Sequence, residues 1–356
     1  MKNINFLLLD ITLKGGIERV TANLCNELVM QNSIQIISFF KTNETSSYDL
    51  NENVKVRYLS NYKFNYRTYK ILLFFIFIRK YKFWKSLKSN SNISLYPIIS
   101  VILIGLFRFR GNELIASEHS EFYSQGELIR FLRGLTYRNI SHVVTLTNSG
   151  VQNFNKINIP ALAIPNSVTE FQNTSQWKNE KPRNNINCLF VGRLENVKQP
   201  THFISLAREF KNDNLPIEFL MVGDGPLCVN LTKEIDAYGL RNLHLLGNIS
   251  SIWELYEKCH FLIITSSTEA FPMAVIEAMS FGCIVIGYLC QVGTMEIIED
   301  GVSGFVVKEH DISAIKKIIM DLKSDPKKLE NISENAILRA KRFHSTTILH
   351  EWKKIL

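Results

Sequence analysis

The sequence predicts an α/β protein built of two doubly wound domains, and three observations predict it. A chain of 356 residues is too long for one ordinary core and suits two domains of moderate size. In the second half, short apolar runs alternate with helix-length segments, which implies a parallel sheet covered on both faces. A polar stretch from Thr169 to Asn187, with Asn, Gln, Ser, Lys and Pro and little to bury, separates the halves. The expected division is a first domain 1–168, a linker 169–187, a second domain 188–338 and a C-terminal helical segment 339–356.

The first half opens on Asn3 to Asp10, whose apolar run is short, ends on an acid and lacks a small-residue cleavage site. It reads as a buried first strand, Ile4 to Leu9, and not as a secretory signal. A Gly15-Gly16 turn follows, then a helix with Ile17, Val20, Leu24 and Leu28 on one face. Further strands are expected at Ile34 to Phe40, Leu114 to Ala116, Val143 to Leu146 and Ala161 to Ile164. The second half places strands at Cys188 to Val191, Ile217 to Val222, Leu243 to Leu246, Phe261 to Thr265, Ile284 to Ile286 and Phe305 to Val307. Between them, Phe203, Leu206, Ala207 and Phe210 share one helical face, and Leu227, Leu231, Ile235 and Tyr238 share another.

Apolar residues make up 46% and charged residues 21% of the chain, values of a folded globular protein that exclude disorder as the default. The six cysteines, Cys25, Cys188, Cys228, Cys259, Cys283 and Cys290, are scattered, form no C-x-x-C pair and mostly sit in apolar runs. They read as reduced and structural, so the expected compartment is the cytoplasm.

The formal net charge of +8 is unevenly placed. No acidic residue occurs between Glu52 and Glu113, while many Lys and Arg interleave there with Tyr, Phe, Trp and the apolar run Ile71 to Ile78. Residues 63–88 therefore suit the headgroup region of an anionic membrane, with an amphipathic core helix carrying a solvated basic edge as the plainer reading. Neither Ile71 to Ile78 nor Ile93 to Phe107, interrupted by Pro97, reaches the roughly 18 apolar residues needed to span a bilayer. None of the recognised nucleic-acid motifs is present, so a nucleic-acid partner is not expected.

In doubly wound sheets, ligands bind beyond the carboxyl ends of the strands, so chemistry is sought at strand-to-helix turns. In the first such turn, Gly15 and Gly16 let the backbone approach a ligand while the helix after them offers free N–H groups to a phosphate; a plain tight turn fits equally. At Val191-Gly192-Arg193-Leu194-Glu195-Asn196-Val197-Lys198, the Arg193 fork and the Lys198 ammonium can clamp a diphosphate, or can be two solvated cations. Gly223-Asp224-Gly225-Pro226 is sufficient as a turn and helix start, and Asp224 is given no catalytic role. The most specific turn runs from Thr268 to Met279. Glu269 in the turn and Glu277 in the following helix can accept hydrogen bonds from polyol hydroxyls, and the N–H groups of Phe271 and Met273, flanking Pro272, can face phosphates or sugar. Glu277 lies among Val275, Ile276, Ala278 and Met279 and needs a partner to avoid a costly burial.

With these residues assembled, the second half resembles the nucleotide-binding domain of retaining glycosyltransferases of family 4, the glycosyl transferases group 1. The resemblance rests on Val191-Gly192-Arg193-Leu194 with Lys198, Val222 to Pro226, Leu246-Gly247, the E-x7-E pair Glu269 and Glu277, and Glu296-Ile297-Ile298 before Asp300-Gly301-Val302-Ser303-Gly304. In the first half, Gly15 to Val20, Ser117-Glu118-His119 and Ile164 to Val168 are similar to that family's acceptor-side motifs. Two departures, Ala270 after the first glutamate where the family often has Gly and Cys290-Gln291-Val292-Gly293-Thr294 in place of Cys-Pro-Gly-Gly-Pro, leave the donor sugar open.

The resemblance implies the GT-B fold, two Rossmann-like domains facing across a cleft, with the C-terminal helix, bearing Ile348, Trp352 and Leu356, packing back toward the first domain. It implies that Arg193 and Lys198 hold the diphosphate, Glu277 binds ribose hydroxyls and Glu269 binds the transferred sugar. Gly15 and Gly16 with Phe271, Pro272 and Met273 complete the donor site, and His119 contacts the donor sugar and assists its transition state. No cofactor or metal is implied, since no D-x-D pair occurs and Arg and Lys can replace a cation. The function implied is retaining transfer from a nucleoside-diphosphate sugar, a UDP-sugar foremost, to a lipid-linked oligosaccharide in bacterial surface-polysaccharide assembly, by a protein peripheral to the inner face of the cell membrane. The alternatives are a nucleotide-sugar epimerase and a non-enzymatic nucleotide-sugar-binding protein.

Overall fold

A computed structural model describes residues 1–65, 67–80, 83, 91–95, 99, 113–124, 126–169, 185–211, 213, 215–249, 251–289 and 293–356. Two compact units emerge, Met1–Thr169 with Ser345–Leu356, and Glu170–His344.

The first unit runs β1 (Asn3–Leu8), α1 (Gly16–Leu28), β2 (Ser33–Ser38), β3 (Lys55–Tyr58), α2 (Tyr69–Arg79), β4 (Ser91–Ser94), β5 (Glu113–Glu118), α3 (Glu127–Thr136), β6 (His142–Thr145), α4 (Asn148–Asn155) and β7 (Ala161–Ala163). Its strands pair in parallel in the order β3-β2-β1-β4-β5-β6-β7, with Ile4 opposite both Ile34 and Ser91. Strand alternation sorts the apolar side chains onto two faces. Ile4, Phe6, Leu8, Ile34, Ile36 and Ile115 lie against Leu24 and Leu28 of α1 and against Ile348 and Trp352 of the C-terminal helix Ser345–Lys353. Leu7, Ile37, Phe39 and Leu114 face the other way, toward Leu73, Ile76 and Phe77 of α2 and Ile129 of α3. The C-terminal helix is thus part of the first unit's core, and Ser345 donates to the Val168 carbonyl at 3.0 Å.

Two strands of this sheet lack a sequence signal. β3 is an edge strand whose residues are half-buried or exposed. β4 reads Ser-Asn-Ile-Ser, yet all four residues are buried between β1 and β5. Its polar groups pair internally, with Asn5 Nδ2 donating to Asn92 Oδ1 at 2.9 Å, so the strand pays no desolvation penalty for unmade hydrogen bonds.

The second unit is β8 (Ile186–Val191), α5 (Pro200–Glu209), β9 (Ile217–Val222), α6 (Cys228–Tyr238), β10 (Leu243–Gly247), α7 (Trp253–Lys258), β11 (Phe261–Ile264), α8 (Met273–Ser280), β12 (Ile284–Tyr288), α9 (Gly293–Ile297), β13 (Gly304–Val307), α10 (Ile312–Ser324) and α11 (Pro326–Ala340). The order β10-β9-β8-β11-β12-β13, all parallel, is the doubly wound 3-2-1-4-5-6 arrangement. Helix starts follow local chemistry. Asp311 accepts from Ala314 N at 2.9 Å to cap α10, and Asp325 accepts from Lys328 N at 3.1 Å, with Pro326 leading α11.

Two boundaries differ from those read in the sequence. Ile186 and Asn187, polar in context and assigned to the linker, open β8 because they pair with Ile217 and Glu218. At the far end, Arg339 and Ala340 complete α11, Ala340 being fully buried, and the C-terminal helix begins only at Ser345. Linker residues 170–184 lie outside the described residues, as does Cys290, while the other five cysteines are free thiols.

Candidate active site

The chain order reverses in the second unit between β8 and β11, and the turns leaving those two strands carry the predicted residues. The β8 turn ends in a 3-10 segment, Asn196–Lys198, and lies against the β11 turn. Thr265 Oγ1 donates to the carbonyls of Lys198 at 2.8 Å and Gln199 at 3.0 Å, and Ser267 N donates to Val197 O at 3.0 Å. These bonds bring two segments some seventy residues apart into fixed register, and Lys198 Nζ ion-pairs with Glu269 Oε1. Ser266 Oγ donates to the same carboxylate oxygen at 2.7 Å. Arg193 stands apart, largely exposed, with Nε 3.6 Å from Glu195 Oε2, so its guanidinium has only a loose hold on protein.

The Gly-Asp-Gly-Pro turn after β9 supports this loop from below. Gly223 has φ +141°, and a Cβ there would lie 1.8 Å from Gly192 O; one at Gly225 would lie 2.5 Å from Leu194 O. Leu194 N donates to Asp224 O at 2.9 Å. The turn is a scaffold for the Arg193 loop.

Glu277 lies on α8, 5% exposed, and accepts from the Tyr256 hydroxyl at 3.3 Å. The partner its apolar neighbours demanded is thus supplied by α7. Pro272 precedes the first residue of α8, Met273, and no side chain caps the helix. Phe271 is buried edge-on against Phe343 with ring centroids 5.7 Å apart, which fixes the backbone of the Glu269–Met273 turn. Gly293 N donates to Glu269 O at 3.0 Å from the other side.

In the first unit, Gly15 precedes α1 in an extended conformation, and a Cβ on it would meet Glu18 Oε2 at 2.4 Å. Among the described residues, no atom outside the neighbouring backbone of α1 lies within 4 Å of where a Cβ on Gly16 would be, so the position is sterically open. Glu18 has its pKa raised to about 7 by burial, against hydrogen bonding to its own backbone, and with a smaller upward push from Asp10. Asp10 is fully buried and accepts from Thr12 N at 2.9 Å and Thr42 N at 2.8 Å, which shapes the turn.

His119 follows β5 and lines a cavity with Thr21, Ser117, Asn166, Ser167 and Trp352. Its Nε2 lies 3.1 Å from Ser117 Oγ, and burial pushes its pKa down to about 4, so the imidazole is neutral at physiological pH. Asn166 Oδ1 is buried in the same region without a hydrogen-bond partner among the described residues.

The structure pairs Lys198 with Glu269 and gives Glu277 a partner, and it adds four side chains that the sequence did not single out, Ser266, Tyr256, Glu18 and Asn166. Glu18 and Asn166 stood inside quoted motifs. Ser266 and Tyr256 carry no local signal, since only folding shows which carboxylates they reach.

Residues 171–339 match the glycosyl transferases group 1 family. The second unit is a group 1 glycosyltransferase domain. Similarity extends over the whole chain of this glycosyltransferase. It is 28% identical to a Campylobacter jejuni enzyme, GalNAc-alpha-(1->4)-GalNAc-alpha-(1->3)-diNAcBac-PP-undecaprenol alpha-1,4-N-acetyl-D-galactosaminyltransferase, covering 100% of this chain and 98% of that one. It is 23% identical to the amylovoran biosynthesis glycosyltransferase AmsD of Erwinia amylovora, covering 100% of each. Among solved structures, HepE of Anabaena in complex with UDP and glucose superposes with a TM-score of 0.76 at 18% identity over 99% of each chain. Sucrose-phosphate synthase of Thermosynechococcus elongatus gives 0.83 at 15% identity over 100% of this chain and 98% of that one. At such identities the likeness is one of fold, and it agrees with the two Rossmann-like α/β domains read from the sequence.

Proposed function

We propose that the glycosyltransferase moves a glycosyl group from a UDP-sugar to a lipid-linked saccharide, with retention of anomeric configuration and without a metal cofactor. The observation that carries this reading is the Lys198–Glu269 pair at the strand-order reversal, with Arg193 on the turn leaving β8 and Glu277 on the helix that follows β11. A cation held beside a carboxylate is ready to pass its charge to an arriving diphosphate while the carboxylate turns to sugar hydroxyls. Arg193 joins Lys198 on the diphosphate, Glu277 takes the ribose hydroxyls, and the uncapped start of α8 at Phe271, Pro272 and Met273 offers N–H groups. Gly15 and Gly16 give backbone room at the start of α1, and His119 supplies a neutral imidazole toward the sugar. In the transfer, the acceptor hydroxyl oxygen bonds to the anomeric carbon as the bond from that carbon to the diphosphate oxygen breaks. The hydroxyl proton passes to the departing diphosphate.

The UDP donor is supported by the HepE complexes, one of which holds UDP-glucose, and the lipid-linked acceptor by the undecaprenol-linked substrate in the Campylobacter relative's name. A peripheral position at the inner membrane face is supported by α2. Tyr69, Leu73, Ile76 and Phe77 are buried, while Ile71, Phe74, Phe75 and Ile78 are exposed on the opposite face. Lys70, Arg79 and Lys80 flank that face. Exposed apolar side chains rimmed by cations suit an anionic bilayer surface. Of the segment 63–88, residues 66, 81–82 and 84–88 lie outside the described residues, and no described helix is long and apolar enough to cross a membrane.

The test is a thermal-shift and hydrolysis screen of UDP-, GDP- and ADP-sugars on the wild type and Glu277→Ala. A UDP-sugar that raises Tm and is slowly hydrolysed by the wild type, with both effects lost in the variant, is the expected result. Stabilisation by a GDP- or ADP-sugar alone would overturn the UDP assignment, and release of an epimerised nucleotide sugar would overturn the transferase chemistry of this site.

A further inference from the structure

β5 ends at Glu118, and strand alternation sends its last side chains to opposite faces of the sheet. Ile115 packs with the face that bears α1 and the C-terminal helix, and Ser117, two residues on, reaches His119 in the cavity there. Ala116 and Glu118 point the other way, Ala116 into the cluster of Phe122, Tyr137, Val143, Phe154 and Ile159. A carboxylate 4% exposed in that company needs compensation. Arg133 of α3, with no exposed surface, ion-pairs with Glu118 Oε2. The Tyr137 hydroxyl donates to Oε1 from the 3-10 turn that follows α3. The guanidinium lies 5.8 Å from the Phe122 ring centroid and 5.9 Å from that of Phe154, on which Tyr137 stacks.

A salt bridge this deep is poor value for stability, because desolvation consumes most of its Coulomb energy. Arg133 Nε is even left without a partner among the described residues. An apolar trio of the same volume would hold α3 on the sheet as well. What the ionic arrangement adds is direction, since two donors converge on the two oxygens of one carboxylate and orient the end of β5. The next residue in the chain is His119.

We propose that Glu118, Arg133 and Tyr137 are the positioning residues of His119. They hold the strand end from the face opposite the cavity, so that the imidazole stays against Ser117 and presents one ring edge to the site. The inference rests on the reading of His119 as the first unit's contribution to sugar handling. None of the three need touch substrate.

Arg133→Ala strands a buried carboxylate and is prone to misfold, so the decisive variant is Tyr137→Phe, which removes one hydroxyl and keeps the ion pair. Ile159→Val, in the same cluster but remote from the carboxylate, is the control for a small loss of packing. Two readouts are taken on the full chain, the ring nitrogen NMR signals of His119, assigned with His119→Asn, and the hydrolysis of UDP-N-acetylgalactosamine and UDP-glucose. Tyr137→Phe is expected to shift and broaden the His119 signals and to lower kcat about tenfold with donor KM unchanged. That loss should vanish in the His119→Asn background, and Ile159→Val should change neither readout. Unmoved ring signals in Tyr137→Phe, or an equal loss of kcat in both backgrounds, would overturn the positioning role. Moved ring signals with His119→Asn fully active would instead overturn the reading of His119 and leave the positioning intact.

Discussion

Lys198 and Glu269, on turns leaving strands β8 and β11, form an ion pair at the point where the strand order of the second unit reverses. Both side chains are largely buried, and Ser266 holds the carboxylate from a second direction. The pair is therefore a preset charge arrangement and not a surface accident. Lys198→Ala should lower turnover about 10²- to 10³-fold, the usual effect of removing one electrostatic stabiliser of a leaving group. Its Tm should fall by only about 2–4 °C, because the pair retains some solvent. Steady-state kinetics and a melting scan check both; near-normal turnover would remove Lys198 from the diphosphate.

Two glycines should respond in opposite ways to alanine. Gly223→Ala places a Cβ 1.8 Å from a backbone carbonyl at a φ that side chains avoid, and should cost about 3 kcal/mol or more. Gly16→Ala meets no atom of the described residues beyond its own helix backbone, so Tm should not fall while donor hydrolysis does. Chemical denaturation and a turnover assay separate the two cases, and an unaltered Gly16→Ala enzyme would mean that nothing approaches that backbone.

Glu18 should make stability depend on pH near neutrality. Its folded pKa of about 7 lies above the ordinary 4.5, so the native state holds the proton more tightly than the unfolded chain. Stability from this group is complete below pH 4.5 and is lost as pH rises through about 7, a total of about 3 kcal/mol. Glu18→Gln should therefore gain on the wild type between pH 5 and about 8 in urea titrations. A constant difference across that range would count against a raised carboxyl.

His119 should act with the opposite sign. A folded pKa of about 4 against an ordinary 6.5 means that the unfolded chain takes up the proton first as pH falls. The stability is present above pH 6.5 and is lost on the way down through about 4, opposing the Glu18 trend where the windows overlap. His119→Asn should flatten the acid limb by up to about 3 kcal/mol, measured by denaturation at stepped pH. An unchanged acid limb would indicate a hydrated imidazole.

The exposed face of α2 should govern vesicle binding. Phe75→Glu removes an apolar anchor worth about 2 kcal/mol and adds a repelled charge, so partition onto phosphatidylglycerol vesicles should fall about 30-fold or more. Sedimentation with vesicles reads this, and binding that survives both Phe75→Glu and Lys80→Gln would place any membrane contact elsewhere.

The sequence by itself determined the fold class and the turns at which candidate residues sit, because glycines, charged pairs and apolar periodicity are local signals. Arg193, Lys198, Glu269 and Glu277 each follow a strand that hydropathy alone reveals. Only the tertiary structure decided what those residues meet. Strand order brought the β8 and β11 turns together and let Lys198 reach Glu269 across 71 residues of chain. The buried strand Ser91–Ser94 was invisible because its polar side chains are satisfied by neighbours such as Asn5, which no window of sequence contains. The α2 segment is apolar all round from Ile71 to Ile78, so periodicity could not choose its buried face, and packing against β1 and β2 chose it. The partners of Glu118 lie 15 and 19 residues downstream on another element. Propensity and pattern act over a few residues, whereas the pairing of buried charges depends on which surfaces the whole chain brings into contact.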